Sequence, residues 1–277
     1  MEIPQAVRHI LTLALEEDLG TGDITSGLLI PESHASSAML IAKGGFIIAG
    51  FPFAEEVFHL VDKDVEFKPL VKEGSRVKKG TVLAEIRGRT SSLLAGERVS
   101  LNLMQHLSGI ATITSGFVRE IKGTGAKIVD TRKTMPCMRY MEKYAVRVGG
   151  GSNHRFGLYD GILIKDNHIE AVGSIKKAIE LAKKGMHLLK TEVEVENLKE
   201  FRIALEAGAD VIMLDNMGLE DMAEAARLNN KKALLEASGN VSLANVRQIA
   251  ATGVDLISIG ALTHSAPAAD ISMKLMG

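Results

Sequence analysis

A single cysteine, Cys137, and no tryptophan stand in a chain of 277 residues. One thiol excludes an internal disulfide framework and any multi-cysteine zinc site, which agrees with a reducing compartment. Aromatic residues make up only 4% of the chain, so stacking platforms for single-stranded nucleic acid are not expected. A dominant charge is missing as well. The 33 Lys and Arg nearly cancel the 34 Asp and Glu, and no global basic field recruits nucleic acid or an anionic membrane. Any anion site must be local. The longest clean apolar run, FIIAGFPF at 46–53, is far too short to span a bilayer, and the stretch from Met1 carries neither a basic leader region nor a cleavage signal. The expectation is a cytoplasmic protein.

What is present is a rhythm. From 126 onward a short apolar run, a polar terminus and an amphipathic stretch recur, with Gly before the next apolar run. The runs are AKIVDTRKT, GILIKDNHI, LLKTEVEVEN, DVIMLDNM, ALLEASGN and LISIGALTHS, which makes six candidate strands. SIKKAIELAKKG, NLKEFRIALEAGAD, GLEDMAEAARLNN and SLANVRQIAATG space apolar residues three and four apart and read as crossover helices. Strands alternating with such helices pair in parallel and are buried on both faces. A (β/α) barrel fits best, either incomplete or with strands not visible in the pattern; a doubly wound open sheet is the competing architecture. Before 126 the pattern differs. VKEGSRVKKGTVLAEIRG at 71–88 reads as short antiparallel strands with tight turns, similar to a lipoyl-type hammerhead but with no lysine presented at a hairpin tip, and so as part of a small α/β domain. A helical stretch at 93–121 leads from it to the barrel.

In a parallel barrel the residues just past the C-terminal ends of the strands converge on one mouth. Here those residues are charged. The first strand delivers Arg132 and Lys133, the second Lys165, the third Glu194 and the fourth Asp215. The last two deliver Ser238, Gly239 and Asn240, then Gly260 and Ala261, while VGGGSNHRFG at 148–157 adds His154 and Arg155. Arg132, Lys133, His154, Arg155 and Lys165 would bind a substrate with several negative charges. Glu194 and Asp215 could hold Mg²⁺ or sugar hydroxyls. The small residues resemble the phosphate site that barrels build from their last strand ends. Taken singly, Arg132 and Lys133 read as partners of Asp130, His154 as a structural hydrogen-bonder, and the two acids as ordinary loop carboxylates. Their shared position at one mouth points instead to a phosphorylated sugar with a metal beside a polyanionic acceptor. Arg139, Lys143 and Arg147, spaced by four on the next helix, read as a solvated stripe.

The motifs DTRKTMP, EKYAVRVGGGSNHRFGLYDGILIKDNHI, EVEVENL, AGADVIMLDNM, EASGNV and GVDLISIGALTHS, with ALEEDLGTGDIT and GERVSLNLMQHLSGIAT before them, resemble quinolinate phosphoribosyltransferases over nearly the whole chain. The resemblance implies a type II phosphoribosyltransferase: a small N-terminal α/β sandwich domain (1–110, with the tail 266–277 packing on it) and an incomplete α/β barrel of six to seven strands (111–265). It implies a pentosyltransferase that converts quinolinate and 5-phosphoribosyl 1-pyrophosphate, with Mg²⁺, to nicotinate mononucleotide, pyrophosphate and CO₂ in NAD biosynthesis. Carried over residue by residue, Arg132, His154, Arg155 and Lys165 resemble the quinolinate pocket, and Lys133 a ligand of the phosphoribosyl donor. Glu194 and Asp215 match the acids facing the ribose and its metal, and Ser238, Gly239, Asn240, Gly260 and Ala261 the 5-phosphate loops. Lys133, Lys165, Glu194 and Asp215 are the implied catalytic set. Arg98 resembles an arginine donated to the neighbouring subunit of a homodimer or a multiple of it.

The chemistry suits those residue types. Cations offset the desolvation of two carboxylates, acids face the positive charge that develops on ribose, and the pyridine nitrogen is already a nucleophile, so no serine or cysteine nucleophile is expected. The departures are Met135 and Cys137 in a turn where the family uses Thr and Gly, and Asn240 where a second Gly follows ASG. A non-catalysing paralogue similar to the molybdenum-transport-associated relatives would share the fold; intact DTRKT and KDNH motifs argue against it.

Overall fold

The structure, a computed structural model, describes residues 2–276. Two compact units divide the chain: residues up to 113 with 135–149 and 265 onward, and residues 114–134 with 150–264.

The first unit opens with α1 (Gln5–Leu19) and the short α2 (Ile24–Leu29), which Asp23 caps by accepting from the Ser26 N–H. Then come β1 (Ala35–Ala42), β2 (Phe46–Ile47), α3 (Phe51–Val61), β3 (Glu66–Pro69), β4 (Arg76–Val77) and β5 (Val82–Arg89). β1 buries Ala38, Leu40 and Ala42, alternate positions that share one face of a pleated strand. That face packs with Leu83 and Ile86 of β5 and with Phe51 and Phe58 of α3, whose rings meet Phe67. The half-buried Glu73 carboxylate accepts from the Gly50 and Phe51 N–H groups at 2.6 and 3.3 Å, answering the unpaired donors at the start of α3. The hairpin region around 71–88 is therefore sheet and helix cap rather than a carrier tip. The 31-residue α4 (Thr90–Glu120) follows.

The second unit is a parallel sheet. Its strands are β6 (Lys127–Val129), then, after α5 (Arg139–Val148), β7 (Ile162–Ile164), and, after α6 (Asp166–Val172) and α7 (Ile175–Gly185), β8 (Thr191–Val195). α8 (Leu198–Glu206), β9 (Val211–Asp215), α9 (Leu219–Asn229), β10 (Leu234–Ser238), α10 (Val246–Ala251), β11 (Leu256–Ser258) and α11 (Ala261–His264) complete it. The order β6-β11-β10-β9-β8-β7 places the first strand beside the last and leaves the ring open between β6 and β7. All six expected strands form. The Gly-rich segment takes a vestigial seventh position, where Ser152 bridges Val129 in parallel through bonds of 2.8 and 3.2 Å. Parity along each strand sorts the side chains. Val193, Val195, Ile212, Leu214, Leu235 and Ala237 are buried on the helix side, while Glu194, Met213, Asp215, Glu236 and Ser238 line the interior.

Two findings differ from the sequence reading, and the tail packs on the first unit. Residues 135–149, expected within the barrel domain, group with the first unit, because the α5 aromatics Tyr140 and Tyr144 meet the Phe53 ring edge-on and the buried Glu142 accepts from His106 at 2.8 Å. Lys143, expected in a solvated stripe with Arg139 and Arg147, is buried. The tail forms β12 (Ile271–Met276), which pairs antiparallel with β1 in the order β12-β1-β5-β3.

Candidate active site

The C-terminal ends of the second unit's strands enclose a cavity of about 770 Å³. Arg132, Lys133, His154, Arg155, Lys165, Glu194, Asp215, Ser238, Gly239, Asn240, Gly260 and Ala261 all line it. Arg98 does not. It is exposed on α4 in the first unit, with Glu97 3.9 Å away.

Each group is held by local structure. Just beyond β6, Thr131 Oγ1 accepts from the Lys133 N–H at 3.0 Å, and Thr263 donates to the Lys133 carbonyl at 2.7 Å. A Cβ on Gly260 would stand 2.9 Å from the Lys133 side chain, so glycine there leaves room for the lysine to lie across the loop. Asp130, fully buried at the same strand end, is not a partner for the neighbouring cations alone: it accepts from the His154 N–H at 2.9 Å and from the Asn153 amide. Those bonds tether the loop carrying His154 and Arg155. The Asp160 carboxylate accepts from the Phe156 and Gly157 N–H groups, folding the chain back so that Arg155 donates to the Gly161 carbonyl at 3.1 Å. Burial and then the Arg132 charge lower the Arg155 pKa, against the opposing pull of Glu192 and Asp160.

The register of β7 against β8, with Ile164 opposite Val193, brings Lys165 to Glu194, and their side chains form an ion pair. On β9, Asp215 accepts from the Asn216 amide at 2.8 Å, and Asn216 accepts from Asn240 at 3.0 Å. Gly239 lies between them at φ +91°. A Cβ there would stand 2.1 Å from the Asn216 oxygen, so only glycine admits this chain of amides. Asn240 itself is left-handed at φ 50°, a conformation asparagine tolerates better than most residues. Cys137, the other departure from the expected glycine, is exposed with φ 64°.

Below the cationic rim lies a cluster the sequence reading missed. His154 Nε2 is 2.9 Å from the Glu192 carboxylate and 3.6 Å from that of Glu236. Glu236 is fully buried, and burial together with the Glu192 charge pushes it up to about 7, with His154, Ser258 and Lys165 pulling the other way. A signal was available: EVEVEN and EASGN place Glu192 two residues before Glu194 and Glu236 two before Ser238, hence on the same inward parity. Asn216 and His264 also line the cavity and were not singled out.

Residues 23–108 match the family model described as the quinolinate phosphoribosyl transferase N-terminal domain, and residues 110–274 match the C-terminal domain of the same family. The chain belongs to the quinolinate phosphoribosyltransferase family. Among its members, a probable carboxylating nicotinate-nucleotide pyrophosphorylase of Bacillus subtilis (strain 168) is 48% identical over 270 residues, covering 97% of this chain and 93% of the relative. The carboxylating nicotinate-nucleotide pyrophosphorylase of Mycobacterium leprae (strain TN) is 41% identical over 278 residues, covering 98% and 97%. The solved structure of the nicotinate-nucleotide pyrophosphorylase from Francisella tularensis superposes with a TM-score of 0.93 at 41% identity, covering 99% of this chain and 98% of that one. No helix among the described residues is long and apolar enough to cross a membrane.

Proposed function

We propose that the protein transfers the phosphoribosyl group of 5-phosphoribosyl 1-pyrophosphate to the ring nitrogen of quinolinate and releases CO₂, giving nicotinate mononucleotide and pyrophosphate. The observation that carries this reading is the division of one cavity into a cationic side, two strand-end acids and two small-residue loops, in a chain whose relatives are named for this reaction. Arg132, Arg155 and Lys165 face the two carboxylates, whose desolvation demands paired cations. His154 has both ring nitrogens engaged by Glu192 and the Arg155 N–H, which favours a place beneath those cations rather than against the substrate. The 5-phosphate lies on Ser238, Gly239, Asn240, Gly260 and Ala261.

The ring nitrogen attacks the anomeric carbon as the bond to pyrophosphate breaks. Glu194 and Asp215 face the positive charge that develops on the ribose, and Lys133 faces the departing anion. The ribosylated pyridinium then accepts the electron pair released as the 2-carboxylate leaves as CO₂, and the ring carbon takes a proton. Positioning and electrostatics carry the rate, without a covalent enzyme intermediate.

The two strand-end carboxylates offer hard oxygen donors and fit Mg²⁺, directly or through water. When bound, Mg²⁺ would neutralise charge on the pyrophosphate. We further propose a homodimer in which Arg98 is donated to the other subunit's pocket; its exposed position on α4, with the adjacent Glu97 3.9 Å away, supports that role.

The test is loss of quinolinate absorbance on adding 5-phosphoribosyl 1-pyrophosphate and Mg²⁺, with nicotinate in parallel. Conversion of quinolinate alone is expected. Silence with both, from folded protein, would overturn the reading in favour of a non-catalysing paralogue.

A further inference from the structure

Glu192 and Glu236, the two acids beside His154, are buried and have no role in the mechanism above. Glu192 lies on β8 and is buried, and His154 Nε2 meets its carboxylate at 2.9 Å. On the other side of the ring, Nδ1 accepts from the Arg155 N–H at 2.8 Å. A nitrogen that accepts carries no proton, so the ring proton is at Nε2 and is directed to Glu192. Glu236, 3.6 Å from the same nitrogen, closes the space behind it. The loop's backbone joins the sheet at the Ser152 bridge, and the Asp130 tether reaches Asn153 and the His154 N–H, one residue short of Arg155.

We propose that Glu192 is a positioning residue for this reaction: by accepting the Nε2–H of His154 it fixes the imidazole that anchors the Arg155 backbone, and so aims the Arg155 guanidinium at the dianion. The inference rests on the quinolinate pocket assigned above. Glu192 acts only through His154. Removing its carboxylate frees the ring to rotate, withdraws the acceptor from the Arg155 N–H, and lets the guanidinium leave its bond to Gly161. A displacement of about 1 Å at such a group is enough to cost one to two orders of magnitude in rate.

Steady-state kinetics on Glu192→Ala, Glu192→Gln, His154→Ala and the Glu192→Ala/His154→Ala double variant test this, with thermal melts alongside. Glu192→Ala is expected to raise the KM for quinolinate by about tenfold or more while leaving that for 5-phosphoribosyl 1-pyrophosphate within about twofold. Glu192→Gln is expected to recover most of the loss, because its amide oxygen can accept the same bond. The double variant should be no worse than His154→Ala alone, since both changes break one chain of contacts. Three outcomes would overturn the proposal: equal rises in both KM values, a Gln variant as defective as Ala, or losses that multiply in the double variant. If Glu192→Ala does not fold, Glu192→Asp replaces it; it keeps the charge but falls short of the ring, and is expected to behave as the Ala variant would. Failure of the wild-type protein to consume quinolinate would instead overturn the function, which separates the two.

Discussion

The Lys165 ammonium forms an ion pair with the Glu194 carboxylate across the neighbouring ends of β7 and β8. One group faces the substrate's charge and the other the ribose, so the pair joins the two halves of the cavity. Its lysine is 44% exposed, and a pair so open to solvent contributes no more than about 1 kcal/mol to stability. Lys165→Ala is therefore expected to lower kcat/KM by about a hundredfold or more while moving the melting temperature by no more than about 2–4 °C. Parallel kinetics and calorimetry check both halves. A large loss of stability with retained specific activity would contradict the assignment.

Glu236 gives a pH dependence with a definite sign. Its folded pKa of about 7 lies above the ordinary value of 4.5, so between those values the folded chain holds a proton that the unfolded chain has released. Stability must fall as pH rises through that window, and the penalty is complete above it. Glu236→Gln removes the titration. The melting temperature of the variant minus that of the wild type is expected to be smallest near pH 4.5 and to grow to several degrees by about pH 8. A difference that is flat across this range would contradict the burial-driven shift.

Gly239→Ala sets a Cβ 2.1 Å from the Asn216 oxygen at a backbone φ of +91°. The substitution should cost about 1–3 kcal/mol of stability. Because Asn216 holds Asp215, the KM for 5-phosphoribosyl 1-pyrophosphate is expected to rise more than that for quinolinate. Denaturant melts and initial rates separate the two effects.

Sharing of Arg98 between subunits predicts complementation. Arg98→Ala and Lys165→Ala proteins, each inactive alone, should recover activity when mixed under conditions that exchange subunits. No recovery, with exchange demonstrated by a tag, would count against the shared site.

Much of this architecture was legible in the sequence because parallel strands bury both faces and end in side chains that cannot stay in a core. AKIVDTRKT shows the logic: Ile128 and Val129 are buried, and Arg132 and Lys133 emerge at the cavity. What escaped was whatever depended on partners distant in sequence. Lys143 looked solvated because its spacing with Arg139 and Arg147 made a polar stripe, yet tertiary packing buries it. Asp130 seemed a counter-ion for the next two residues, whereas its acceptors serve residues more than twenty positions later. Glu192 and Glu236 sat inside runs read as continuous strand. Their parity was visible, but buried acids are rare enough that an apolar reading prevailed.

The pairing of β12 with β1 sets an order of events during synthesis. β1 is made early, but its partner emerges only after the whole parallel sheet has been translated, a separation of the kind that slows closure of non-local contacts. Until then one edge of β1 presents unpaired N–H and C=O groups. A nascent chain is thus expected to complete its barrel first and to keep an open strand edge until β12 docks, and a stop codon before Ile271 would leave that edge permanently bare.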